Sequence, residues 1–112
     1  MNLEKALQHP QTLSLMLIDL QNDFIHSEGA YARAGQKAES IALLPERLAP
    51  LANLVRKHGG WIVSTHFTLV PGKDGNPFIL EHLKQLRPFL GKGDFAPGSW
   101  GQQLVEELQP AD

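Results

Sequence analysis

Cysteine is absent from the 112 residues, which excludes disulfides, a thiolate metal site and a thiol nucleophile carried by these residues themselves. Runs of Lys or Arg are lacking too, and the formal net charge is −2, so the electrostatic footprint of a nucleic-acid partner is missing. No apolar stretch approaches the roughly 20 residues of a membrane-spanning helix. The first residues lack the basic, apolar and small-residue order of a secretory leader. The expectation is therefore a cytoplasmic protein with neither nucleic acid nor membrane as partner. What is present is ordinary for a globular chain, with 42% hydrophobic and 20% charged residues, and the length suits one domain at most.

The stretch Leu13–Phe24, LSLMLIDLQNDF, is the one the remainder is organised around. A short apolar run bounded by polar residues reads as a buried strand, and a nearly continuous run implies cover on both faces, as in a parallel α/β sheet. Asp19 interrupts it near its end. A carboxylate there is costly to bury unless paired or used, and the carboxyl ends of strands are where open α/β sheets bind ligands. Asp19 is thus a candidate for chemistry. Equally, it could serve only to tie the following loop to backbone N–H groups.

Along the chain, Met1–Thr12 is a polar lead-in, with Pro10 ending any first helical turn. The Gly- and Ala-rich segment Ile25–Lys37 reads as a loop over the strand ends. Leu44, Leu48, Leu51, Val55 and His58 recur at helical spacing. Pro45 suits the first turn of that helix, Pro50 predicts a kink or restart, and Gly59-Gly60 marks the stop. Trp61–Thr65 then reads as a second strand. Strand, helix, strand makes a βαβ unit with a parallel, right-handed crossover, and it puts His66 at the end of the second strand as Asp19 is at the end of the first. A short helix through Leu80, Leu83 and Leu86 up to Pro88 follows a turn-rich loop. A last helix is predicted from Ser99, with Trp100, Leu104, Val105 and Leu108 as its apolar face. Two strands alone would both be edges with unpaired backbone groups. Further strands are expected from another chain or from a longer protein, a third beginning around Gln109-Pro110-Ala111-Asp112.

His66 could be a metal ligand, a hydrogen-bond donor to substrate, or a polar loop residue. A hydrolytic zinc site needs three convergent ligands, and no H-x-H or H-E-x-x-H pair is present. Lys73 and Asp74 read as solvated turn residues. Gly91-Lys92-Gly93 lacks the rest of a phosphate loop and reads as a hinge. Pro97-Gly98-Ser99-Trp100-Gly101 puts proline where a nucleophile elbow requires glycine, and it follows a loop instead of a strand, which rules out that serine chemistry. Trp100 could pack in the core or wall a cleft.

Leu17-Ile18-Asp19-Leu20-Gln21-Asn22-Asp23-Phe24, followed by Gly29 and Ala34-Gly35, resembles the N-terminal signature of the isochorismatase-like cysteine hydrolases. Gly98-Ser99-Trp100, with Leu104, Leu108 and Pro110, is similar to that family's segment before its third strand. The resemblance implies a three-layer, Rossmann-like parallel α/β sheet, incomplete in this chain, with residues 1–112 as the N-terminal part of a single domain. It also implies hydrolysis of amide or related C–N bonds of a small molecule, or of an enol ether, by a cysteine nucleophile. Asp19 matches the family's Asp, which takes the thiol proton and hands it to the leaving group. The family's Lys and Cys follow the G-x-W segment and have no counterpart here, so these residues alone would be inactive; Lys92, which precedes that segment, is no substitute. By position, Phe24, His66, Phe67 and Trp100 would line the substrate cleft. Nicotinamidase-like members bind a metal through Asp-x-His after the second strand; Ser64-Thr65-His66 lacks the Asp, so neither metal nor cofactor is expected.

A homo-oligomer, or a segment supplying the C-terminal half of the domain, is the implied partner besides the small-molecule substrate. The alternative is a non-catalytic relative that uses the fold for binding or oligomerisation. A nucleotide-binding doubly wound domain fits less well, because the first turn carries Gln21-Asn22-Asp23 in place of a Gly-rich phosphate loop. Reading the gene past the codon for Asp112 tests the first two. A strand with Lys, then Cys at a helix start, supports the enzyme, and a stop codon favours the binding domain.

Overall fold

A computed structural model describes residues 2–110. The Asn2 side chain accepts from the Glu4 N–H at 2.8 Å and so caps α1 (Leu3–Gln8). A single tight turn at Pro10–Thr12 leads into β1 (Ser14–Ile18). Two one-turn helices come next, α2 (Asn22–Ile25) and α3 (Ala30–Arg33), where the sequence predicts only a loop over Ile25–Lys37. Helices this short do not persist by propensity alone. They are held from outside: the Asp23 carboxylate on α2 accepts the Ala30 N–H that opens α3, at 2.9 Å.

After a tight turn at Glu39–Leu43, α4 (Leu44–Lys57) runs unbroken through Pro50, against the expected kink or restart. Pro50 and Glu46, whose carbonyl would have accepted the missing N–H, are both exposed, where an unpaired carbonyl is open to solvent and costs little. Pro45, Ala52 and Val55 are buried, and the predicted Leu44 and Leu48 are partly buried against the core, while Leu51 is half-buried and His58 exposed. The helix stops where the glycines predict: Gly59 takes a left-handed φ of 82° and its N–H bonds back to the Arg56 carbonyl.

β2 (Trp61–Thr65) pairs parallel to β1 in the register Ser14↔Trp61 to Ile18↔Thr65, and α5 (Glu81–Leu86) follows a turn-rich loop. The class is mixed α/β, with a βαβ unit, helices and a two-stranded parallel sheet among the described residues, as an incomplete Rossmann-like arrangement requires. Cover on both faces is not found there. Leu17 is buried and Leu15 and Ile62 are partly buried against α4. On the opposite face Trp61 is 63% exposed, Ile18 61%, Met16 54% and Val63 41%. That face is apolar and bare among the described residues. Ala111 and Asp112, where the third strand is expected, lie outside the described residues.

The predicted last helix is also corrected. Residues 98–103 form turns and bends, Leu104 makes an isolated antiparallel bridge with Gln21, and only a tight turn at Glu106–Leu108 lies beyond. Their backbone groups are taken by another segment. The carbonyls of Gly101 and Gln103 accept from the N–H groups of Asp23 and Asn22, and Val105 N–H donates to the Leu20 carbonyl, all at 2.9 Å. The apolar residues Leu104, Val105 and Leu108 are still buried, on the Leu17 and Ala52 side. A second cluster gathers Ala30, Leu69, Leu90 and Phe95, and Phe24 packs against both. No helix among the described residues is long and apolar enough to cross a membrane.

The two sheet faces make opposite predictions in urea unfolding. Leu17→Ala should lower stability by about 2–5 kcal/mol through transfer and cavity terms. Val63→Thr should change it by no more than about 0.5 kcal/mol. Similar losses from both would mean that the bare face is covered in solution.

Candidate active site

Asp19 follows β1 directly, in a left-handed conformation with φ 55°. A non-glycine residue there carries backbone strain that its surroundings must impose. The register supplies the constraint. Ile18 pairs with Thr65, which puts Thr65 beside Asp19 at the same sheet end. The Asp19 N–H donates to the Thr65 carbonyl at 3.2 Å and to its Oγ1 at 3.0 Å. The Thr65 hydroxyl in turn donates to Asp19 Oδ1 at 2.8 Å. The carboxylate is half-buried and anchored through one oxygen. The ion pairs of the described residues are those of Arg33 with Asp23 and Asp94, so Asp19 has no bound counter-charge among them.

A cavity of about 310 Å³ opens beside this carboxylate, lined by Ile18, Asp19, Leu20, Phe24, Tyr31, Gln36, Ala38 and Ile41. Its size lies at the small end of the range for small-molecule sites. A larger one of about 660 Å³ is formed by the loop around Asp74 and Asn76, with Phe78, Lys84 and Arg87. There the Asn76 side-chain amide and backbone N–H hold the exposed Asp74 carboxyl below its ordinary value. That larger cavity does not include Asp19. The candidate centre is accordingly the smaller one.

Of the residues expected at the cleft, Phe24 lines the cavity with Asp19. Phe67 is half-buried one ring further in, its centroid 5.8 Å from Phe24 and 5.0 Å from Phe95. His66 is exposed; its Nε2 is 3.0 Å from Ser64 Oγ and its Nδ1 2.9 Å from the Gln102 carbonyl oxygen. Trp100 is also exposed and meets His26 edge-on at 4.8 Å. Neither lines the Asp19 cavity. Tyr31, Gln36, Ile41 and Thr65 are the site residues that sequence reasoning passed over. The signal for Tyr31 was available, as the only tyrosine in the chain and set between Gly29 and Gly35. No cluster of three or more His, Cys, Asp or Glu side chains that could hold a metal occurs among the described residues.

The loop tie considered for Asp19 is made by Gln21, Asn22 and Asp23, all buried. Gln21 Nε2 donates to the carbonyls of Phe67 and Gln102, both at 2.8 Å, while its Oε1 accepts from the Phe67 N–H at 2.7 Å. Asn22 Nδ2 donates to the Trp100 carbonyl at 2.8 Å. Asp23 accepts the Ala30 N–H on Oδ1 at 2.9 Å and the Phe95 N–H on Oδ2 at 2.8 Å. Gly101 packs so closely that a Cβ there would collide with the Asp23 carboxylate.

The Isochorismatase domain family model matches residues 14–112. Comparison with curated proteins gives no match.

These two acids should respond differently to the same change. In Asp23→Asn the amide nitrogen faces one of two buried N–H donors, and leaving a buried donor unsatisfied costs about 1–3 kcal/mol. Asp19→Asn keeps an acceptor for Thr65 and puts a residue tolerant of positive φ at the strained position. Its cost should stay within about 0.5 kcal/mol. Chemical denaturation of both variants decides the order, and equal losses would contradict it.

Proposed function

The chain belongs to the isochorismatase domain family, a family of hydrolase type, and on that footing we propose that Asp19 is the acid/base of a cysteine hydrolase acting on amide or related C–N bonds of a small molecule. In this reading residues 1–112 are the N-terminal part of one catalytic domain. The open sheet edges and the bare face around Trp61 and Ile18 support that assignment. The Lys and Cys come from a further segment, since another copy of these cysteine-free residues has no thiol to give. The remaining strands come from that segment or from a partner in a homo-oligomer. The setting is cytoplasmic, without a nucleic-acid partner.

The chemistry assigned to Asp19 is proton transfer. Its carboxylate takes the proton of a cysteine thiol, and the thiolate sulfur attacks the substrate's carbonyl carbon. As the C–N bond breaks, Asp19 returns the proton to the leaving nitrogen. It then accepts a proton from the water that cleaves the thioester and gives it to the departing cysteine thiolate. The observation that carries this reading is one carboxylate, strained into a left-handed backbone, anchored through Oδ1 by Thr65, at the edge of a small cavity. Strain of this kind gathers at functional sites. Phe24 and the neighbouring aromatic rings support a substrate cleft there, and His66, Phe67 and Trp100 belong to its outer surroundings.

One observation favours a second reading, a non-catalytic member that binds or oligomerises: the 112 residues contain no thiol, and an acid/base without a nucleophile activates nothing. Steady-state amidase assays on the assembly that supplies the cysteine separate the two. Asp19→Asn should reduce kcat by about 10²–10⁴-fold, the usual contribution of a general acid/base, with the fold retained. Undiminished turnover in that variant removes Asp19 from the role.

A further inference from the structure

We propose that Ser64 and His66 form a nucleophile–base pair, separate from Asp19, through which the chain accepts an acyl group from a small activated ester. Neither residue lines the Asp19 cavity, and the proton transfer assigned to Asp19 uses neither. Side chains two apart along a strand leave on the same face. The end of β2 therefore sets Ser64 and His66 side by side, while Thr65 between them turns the other way and meets Asp19. Ser64 Oγ lies 3.0 Å from His66 Nε2, and His66 Nδ1 lies 2.9 Å from the Gln102 carbonyl oxygen. A carbonyl can only accept, so Nδ1 carries the ring proton. The neutral ring then offers the Nε2 lone pair to the Ser64 O–H. A hydroxyl, a base within hydrogen-bond reach and a third group orienting that base make the arrangement that activates a nucleophile.

The orienting carbonyl is itself fixed. It also accepts from the Nε2 of buried Gln21 at 2.8 Å. The Gln102 backbone N–H donates to the Ser99 carbonyl at 3.2 Å, its Oε1 accepts the Gly98 N–H at 2.7 Å, and its Nε2 donates to Thr68 Oγ1 at 2.7 Å. A base steadied by so anchored a partner is preorganised toward its hydroxyl. In the acyl transfer, Ser64 Oγ bonds to the acyl carbon as His66 Nε2 takes the hydroxyl proton. The bond from that carbon to the leaving oxygen breaks, and the leaving oxygen takes the proton from Nε2. The serine ends as an ester and the donor as an alcohol, with nothing oxidised or reduced.

The test is timed acetylation of the full-length protein by p-nitrophenyl acetate at neutral pH, read by mass from each serine-bearing peptide. Ser14 and Ser40, exposed like Ser64, serve as ordinary serines. Ser64 should acetylate about a hundredfold faster than either, the lower end of what a general base contributes. His66→Gln keeps a donor for the Gln102 carbonyl but removes the base, and should bring Ser64 down to their rate. The comparison among serines needs no substitution, so a variant that fails to fold does not decide it. Acetylation of a cysteine falls on a different peptide and leaves the reading unaffected. Equal rates at the three serines, or an unchanged Ser64 rate in a folded His66→Gln protein, overturns the inference.

Discussion

Gln21, Asn22 and Asp23 are removed from water in a structure whose sheet has two strands among the described residues, and each replaces hydration with bonds to backbone distant in sequence. A buried polar group left unpaired costs about 1–3 kcal/mol, and none of the buried side-chain nitrogens or oxygens among the described residues lacks a partner. Their partners lie at Phe67, Gln102, Trp100, Ala30 and Phe95, mostly in segments without regular secondary structure. Such segments have no ladder of their own. They acquire a fixed course because the backbone groups they need to satisfy are met by these three side chains. Networks of this kind are stable when complete and fail when one member is lost.

The same knot positions the site. Its residues directly follow Leu20, so whatever holds them also fixes where β1 ends and how the chain turns away from the sheet. Asp19 is then constrained from both sides, by the knot after it and by the Thr65 pairing across the sheet. Phe24, the next residue after the knot, packs against both apolar clusters and lines the cavity. Acid, aromatic wall and structural anchor thus occur within six consecutive residues, 19–24. One short segment does the anchoring and presents the candidate acid, and this accounts for the strain at Asp19 being tolerated.

The sheet shows a different economy. Helix α4 covers one face, and the other presents tryptophan, isoleucine, methionine and valine to solvent. The nearly continuous apolar character of β1 is what a strand covered on both faces requires, while only one of the two covers occurs in the described residues. Sequence pattern and structure agree on the strand. They differ only in whether its second partner is present.

The sequence by itself determined the local elements and their order. Helical spacing marked α4, glycines marked its end, β-branched residues marked β2, and an acid at a strand end marked Asp19, because period and turn chemistry are set by neighbouring residues. It also carried the family resemblance that the domain match bears out. The tertiary structure alone decided that residues 98–105 are not a helix, that α2 and α3 form within an expected loop, and that Tyr31 and Gln36 line the cavity beside Asp19 while His66 and Trp100 do not. Each of these depends on contacts between distant segments, such as the bonds of Asn22 to Gln103 and Asp23 to Phe95. A backbone group already claimed by a remote partner cannot also complete a helix, and no local pattern records that claim.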